Sequence, residues 1–217
     1  YTVVSERQVV KIPSDMPLDK AALISCGVLT GYGAVVNRAD IKTLQSVLIM
    51  GTGGVGLNAI QFAALSGAYP VIAVDILDSK LELAKKFGAT HVVNSANEKD
   101  PIAAVKALTH GRGADTVFVT VGSAAALKQG YFMSAPRGTT ILIGLVPLKE
   151  PIEFKAFDII GGERMLTGCG GGSTRLNIDI TRIIELYQAG LIKLDELISG
   201  YYPFEKINEA IDSTKKG

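Results

Sequence analysis

From Ser46 onward the chain alternates between two textures, and no other feature limits its fold as strongly. Apolar runs of about six residues are each followed by a helix-like pattern of about 10 to 15. "SVLIMG" (46–51) leads into a pattern that runs to Leu65, with Gly67 as its stop. "PVIAVD" (70–75) leads into a helix to Phe87, where Ser79-x-x-Glu82 forms a capping box, Asp78 is a rival cap and Gly88 is the stop. "HVVN" (91–94) precedes a helix near 101–109, "DTVFVTVG" (115–122) precedes one near 124–134, and "TTILIGLV" (139–146) follows. None of these runs has a polar alternate, so each strand is expected to be buried on both faces. Buried strands alternating with helices predict an α/β chain with a doubly wound parallel sheet and right-handed crossovers.

The flanks read differently. Residues 1–13 contain a strand-like stretch, Val9 to Ile12, closed by Pro13, and residues 21–38 are small and apolar, helical from about Val28. After Gly172, the residues Ile180, Ile183, Ile184 and Tyr187 fall at helical spacing, and a last helix starts near Phe204. With 47% apolar and 20% charged residues, the 217-residue chain has enough apolar mass for a sizeable core. Its 22 basic and 21 acidic residues create no field that would attract nucleic acid or an anionic membrane. No apolar run approaches the ~18 residues of a membrane span, and the first residues lack the charged start and apolar centre of a signal peptide. Cys26 and Cys169 do not make a disulfide framework, so a cytoplasmic location is expected.

The turn after the first strand carries Gly51-x-Gly53-x-x-Gly56. A glycine triplet alone is a weak signal, but here a buried strand precedes it and a helix follows. Gly51 would permit the tight turn, Gly53 would let a pyrophosphate approach the backbone, and Gly56 would let the helix pack against the strand. The diphosphate would then sit on the free N–H groups and positive dipole end of the helix that follows, and Gly54 and Val55 belong to the same predicted cofactor site. An acid is then expected about 20 residues on, at the end of the next strand. Asp75 lies 19 positions beyond Gly56 and ends "PVIAVD". A carboxylate there would accept hydrogen bonds from ribose hydroxyls and repel a 2′-phosphate, which favours NAD over NADP. Ile76, beside it, belongs to the same predicted cofactor site. The fold expected is therefore a Rossmann-type nucleotide domain.

Taken with Cys26, this fingerprint resembles the zinc-dependent medium-chain alcohol dehydrogenases. The matching words are "AALISCGVLTGYGAVVN" (21–37), "VLIMGTGGVGLNAIQ" (47–61), "IAVDILDSKLELAKKFGATHVVN" (72–94) and "FEKINEAIDSTKKG" (204–217). The aryl-alcohol and glutathione-dependent formaldehyde dehydrogenase branches look most similar. The resemblance implies hydride transfer between an alcohol–aldehyde pair and NAD, with a catalytic zinc. It also implies that this chain is the cofactor portion of a longer enzyme, inactive alone, flanked by pieces of a truncated substrate domain. On that reading residues 1–27 form the edge of the catalytic domain, 28–170 the NAD-binding domain, and 171–217 helices returning toward the catalytic domain. Cys26 matches one of three protein zinc ligands, and one thiolate alone is not expected to hold the metal. Thr30 matches a residue at the nicotinamide face, and Lys80 one that reaches the adenosine ribose. Val121 and Gly122 are expected where the cofactor crosses the sheet edge, Ile143 and Gly144 under the nicotinamide ring, and backbone groups near Cys169 and Gly171 at its carboxamide. The family's edge-to-edge pairing implies a homodimer or larger assembly through "RMLTG" (164–168).

The residues also limit the chemistry. "FVTVG" has Val119 and Thr120 where the family often carries an acid, so no catalytic residue is assigned. His91 and His110 are the only histidines and are read as structural or surface groups, so no metal site is expected within the chain. Two rival readings stay open: a standalone nucleotide-binding or redox-sensing module, and a zinc-free, NADPH-dependent quinone reductase-like enzyme. Cys26 and Asp75 weigh against the second.

Overall fold

The computed structural model describes residues 2–216. Among them the strands are β1 (Val47–Met50), β2 (Val71–Asp75), β3 (His91–Asn94), β4 (Ala114–Val119), β5 (Ser134–Leu142) and β6 (Met165–Gly168). They form one sheet in the order β3-β2-β1-β4-β5-β6, and every neighbouring pair is parallel. The doubly wound parallel sheet expected from the alternation is therefore present.

Alternate residues explain why the strands read as continuous apolar runs. Val47, Ile49, Val71, Ala73 and Phe118 enter one core cluster, and Leu48, Met50, Ile72, Val74, Val117 and Val119 enter another. Both sides of β1, β2 and β4 thus leave water. On the first face lie α1 (Leu18–Leu23), α2 (Leu29–Gly33), α3 (Gly54–Leu65) and α4 (Asp78–Lys86). On the second lie α5 (Pro101–Ala107) and α6 (Ala124–Met133). The chain then continues through α7 (Ala156–Ile160), α8 (Leu176–Gln188), which packs Ile183 and Ile184 into the first cluster, and α9 (Ile207–Lys216).

The central helix α3 is apolar nearly all round and is buried accordingly. Its Leu57, Ile60 and Phe62 are each 5% exposed or less, and each contributes about 1.5–3 kcal/mol by leaving water. Tyr32 of α2 meets Phe62 edge-on, with ring centroids 5.1 Å apart. Gly31 allows this close crossing, since a Cβ there would lie 2.5 Å from Asn58 Cβ.

Several local expectations need correction. Val9–Ile12 is not a strand; it lies in irregular chain after a short 3₁₀ turn, Glu6–Gln8, and has no strand beside it to complete a ladder. The helical run begins at Leu18 rather than near Val28, and opens into π-type turns at Ile24–Val28 and Ala34–Ala39. The Ser79–Glu82 capping box is absent: α4 starts at Asp78, its cap position is Leu77, and no side chain caps it. Asp78 is no cap either, because its Oδ1 accepts from Asn94 Nδ2 at 2.6 Å. Strand β5 ends at Leu142, so residues 143–146 are loop. The edge strand β6 departs from full burial, with Met165 58% and Leu166 43% exposed.

Polar contacts tie the two flanks to each other and to the sheet domain. Lys20 Nζ lies 2.9 Å from Asp19 Oδ2 and 3.3 Å from Asp195 Oδ1, and it donates to the Tyr201 hydroxyl. The bond to Asp19 raises the pKa of Lys20 above its usual value, and Lys20 lowers that of Asp19. The Tyr187 hydroxyl likewise lowers Asp195 by donating to it, and its own pKa rises. Fully buried Asp179 accepts from Asn37 Nδ2 and from Arg175 N, joining the start of α8 to the helical run before β1.

Thr140 Oγ1, on β5, is the one buried side-chain polar atom among the described residues without a hydrogen-bond partner. An unpaired buried hydroxyl destabilises, whereas a methyl group of similar size does not. Thr140→Val is therefore expected to raise stability by about 1 kcal/mol. The check is a higher urea midpoint at unchanged slope.

Candidate functional site

The sheet changes winding direction at β1, whose neighbours β2 and β4 lead away on opposite sides. At such a switch point the loops after adjacent strands part and leave a crevice at the carboxyl ends. A cavity of about 670 Å³ lies there, walled by Met50, Val74 and Thr120 at the strand ends and by Gly53, Gly54 and Val55 at the start of α3. Lys80 of α4, Ser95 after β3, and Ala126 and Gln129 of α6 complete its sides.

The glycine turn has the geometry its spacing suggested. Gly51 adopts φ +93°, a left-handed conformation that a side chain would strain. A Cβ on Gly56 would lie 1.9 Å from Gly51 O, so only glycine lets α3 begin this close to β1. Gly53 and Gly54 are different: a Cβ on either meets nothing within 4 Å. Their bare backbone faces open space on the cavity wall. No side chain caps α3, so the first-turn N–H groups remain available, as at any uncapped helix start. This is a cradle for an anion held by backbone donors and the helix dipole.

Asp75 ends β2 on the same wall. Its Oδ2 accepts from Thr52 N and Thr52 Oγ1, each at 2.8 Å. Its Oδ1 accepts from Ile76 N at 2.8 Å and from Leu77 N at 3.2 Å. The carboxylate is thus held in one orientation at the cavity edge, with Lys80 on the neighbouring helix turn. The bare cradle and the fixed carboxylate fit the diphosphate and ribose of a dinucleotide, so the residues present suit NAD.

Of the residues singled out from sequence, Gly51, Gly53, Gly54, Val55, Gly56, Asp75, Ile76, Lys80 and Val121 all meet at this cavity. The others do not line it. Gly122 and Gly144 pack against each other's loops: a Cβ on Gly122 would lie 2.2 Å from Leu145 O, and one on Gly144 2.3 Å from the Val121 carbonyl group. Ile143 is half-buried beyond β5, with its N–H donating to Val119 O. Cys169 is buried and its N–H donates to Leu142 O, while Gly171 is exposed. Thr30 is buried in α2 beneath Gly172, whose Cβ would lie 3.0 Å from Thr30 Cα.

Cys26 is exposed in the π-type turn before α2. The next residue, Gly27, abuts the cradle, since a Cβ on it would sit 3.8 Å from Gly54 C. Among the described residues no group of three or more His, Cys, Asp or Glu could hold a metal, so zinc would need ligands from elsewhere.

Sequence reasoning missed Thr52, Ser95, Thr120 and Gln129. Ser95 and Thr120 directly follow strand ends, a position that marks ligand contacts in open sheets. Thr52 had a fainter signal, a hydroxyl inside the glycine turn facing an acid one strand away.

The sequence profile described as zinc-binding dehydrogenase matches residues 54–189. The putative alcohol dehydrogenase D of Mycobacterium tuberculosis (strain CDC 1551 / Oshkosh) is 35% identical over 99% of this chain, which covers 58% of that protein. A crystal structure of an alcohol dehydrogenase zinc-binding domain protein from Burkholderia ambifaria superposes with a TM-score of 0.93 at 33% identity, over 98% of this chain and 56% of that one. Benzyl alcohol dehydrogenase from Acinetobacter calcoaceticus superposes with a TM-score of 0.91 at 36% identity, over 96% of this chain and 57% of that one. This chain therefore spans a little over half the length of the relatives it matches. With the cavity at the switch point, the glycine cradle and these matches together, the chain belongs to the zinc-binding dehydrogenase family of medium-chain alcohol dehydrogenases.

Proposed function

We propose that this chain is the NAD-binding part of a zinc-type alcohol dehydrogenase that interconverts a primary alcohol and its aldehyde, and that it is inactive alone. The observation that carries this reading is the meeting of the bare Gly53–Gly54 backbone and the Asp75 carboxylate on one cavity wall. An aromatic alcohol is the substrate class we favour within that reading. Its support is the likeness to the Acinetobacter benzyl alcohol enzyme.

Bound NAD would supply the hydride acceptor. The chain's own residues would then divide the work of holding it. Gly53, Gly54 and Val55 would present backbone N–H groups to the diphosphate, and Asp75 would accept from the ribose hydroxyls. Lys80 would reach the same ribose. Val121, Gly122, Ile143 and Gly144 would direct the nicotinamide end, with Thr30, Cys169 and Gly171 beyond them. The Cys26 turn abuts the cradle, so it would lie beside the bound diphosphate, and a zinc site that used this thiol would take its other ligands from the rest of the enzyme.

In this reading residues 28–170 form the NAD-binding domain, and residues 1–27 and 171–217 face the substrate domain of the whole enzyme. Two copies would pair through the exposed edge β6, whose open backbone groups suit strand addition. We place the protein in the cytoplasm. The test is calorimetric titration of the chain with NADH and, separately, NADPH. NADH binding with much weaker NADPH binding is expected. Tighter binding of NADPH would overturn the cofactor assignment and favour the quinone reductase-like reading.

A further inference from the structure

We propose that Thr52 is a specificity-positioning residue: its buried hydroxyl fixes the Asp75 carboxylate from behind and thereby sets the preference against a 2′-phosphate. The inference rests on the NAD reading above and goes beyond it by assigning a second residue to cofactor choice.

Thr52 is 1% exposed and lies between Gly51 and Gly53 in the turn. It does not line the cavity, whereas Asp75 does. Its hydroxyl therefore reaches Asp75 from the protein interior. A carboxylate offers about four in-plane lone-pair positions. Here each oxygen has two donors: Thr52 N and Oγ1 on Oδ2, and Ile76 N and Leu77 N on Oδ1. Three of these donors are backbone amides that almost any sequence would supply. Thr52 Oγ1 is the single donor among them that depends on residue type.

That arrangement has two consequences for a nucleotide. A ribose hydroxyl would take over the longest of these four positions, that of Leu77 N at 3.2 Å on Oδ1, on a carboxylate already oriented by the other three, so little ordering is needed on binding. A 2′-phosphate would meet a charge unable to swing aside, and it would be rejected by like-charge repulsion. Without the Thr52 hydroxyl, Oδ2 keeps one donor and the carboxylate gains room to rotate. Ribose binding then weakens, and the penalty on the 2′-phosphate shrinks.

The test uses the full 217-residue chain and direct titration with NADH and NADPH. For Thr52→Val, loss of a hydrogen bond to a charged group predicts a rise in the NADH Kd of about tenfold. The ratio of NADPH to NADH Kd is expected to fall several-fold. Thr52→Ser, which keeps the hydroxyl, is expected to match the parent in both. Thr52→Ala removes the hydroxyl without adding a methyl group, so a packing clash particular to Val cannot decide the result. Equal weakening of both dinucleotides, with the ratio unchanged, would mark Thr52 as structural only and overturn the inference. So would parent-like binding in both hydroxyl-less variants. A parent chain that binds neither dinucleotide would remove the NAD reading itself and this inference with it, a pattern unlike the other two.

Discussion

Gly56→Ala is expected to lower the stability of the chain by about 3 kcal/mol and to abolish measurable NADH binding. The reason is backbone geometry rather than side-chain packing. A methyl group at position 56 would lie 1.9 Å from Gly51 O and 2.9 Å from Gly51 C, well inside contact distance. Those atoms belong to the turn itself, which Gly51 holds at φ +93°. Relief would require α3 to move away from β1, opening the core around Leu57 and Ile60 and displacing the cradle. Gly54→Ala supplies the internal contrast, because its methyl would meet nothing within 4 Å. There the free chain should be as stable as the parent or firmer by up to about 1 kcal/mol, since glycine is a poor helix residue. NADH binding should nevertheless weaken, because the methyl occupies the space into which a diphosphate would fit. Urea titration and calorimetry on the two variants would show a loss of stability in Gly56→Ala alone and weaker NADH binding in both. If Gly54→Ala kept full NADH affinity, the cradle would not be the phosphate site.

How much of this was legible beforehand depended on the range of the interactions involved. The strands β1, β2 and β4 were legible because both their faces are buried, and a run such as Val47–Met50 carries that burial in its own residues. The glycine cradle was legible too, because turn, helix start and close approach all depend on residues within six positions of one another. The start of α4 was not. Ser79 and Glu82 carry a capping pattern, yet Asp78 is drawn to Asn94, 16 residues away, and the helix begins two residues earlier than the pattern suggests. Val9–Ile12 has strand-like residues, but a strand also needs a neighbour, and its own composition says nothing about that. The cofactor-side residues beyond Val121 were placed by resemblance. Gly122 and Gly144 turn out to have a packing reason of their own, because each makes room for the other's loop. Thr52 escaped notice because its importance lies in a bond across 23 residues to an acid identified for a different reason.

Asp75→Asn is expected to raise the NADH Kd by about 10- to 100-fold and to bring NADPH to nearly equal affinity. Two effects combine. An amide has one oxygen and one NH₂, so it cannot accept at both positions where the carboxylate now does. Either Thr52 N and Oγ1 or Ile76 N and Leu77 N would face a donor instead of an acceptor. A lost partner at a part-buried group costs about 1–3 kcal/mol, so the turn loosens and the ribose loses a fixed acceptor. The second effect is electrostatic. Removing the charge removes the repulsion toward a 2′-phosphate, so NADPH loses less than NADH does. Salt separates the two. Repulsion between charges is screened as ionic strength rises, because the Debye length falls from about 10 Å at 0.1 M to about 3 Å at 1 M. In the parent chain the preference for NADH should therefore narrow with added salt, whereas in Asp75→Asn the ratio should hardly move. A parent ratio insensitive to salt would mean that shape rather than charge excludes the 2′-phosphate, with Asp75 acting only as a brace for the glycine turn. A salt-sensitive parent and a salt-insensitive variant would place the discrimination on this one carboxylate.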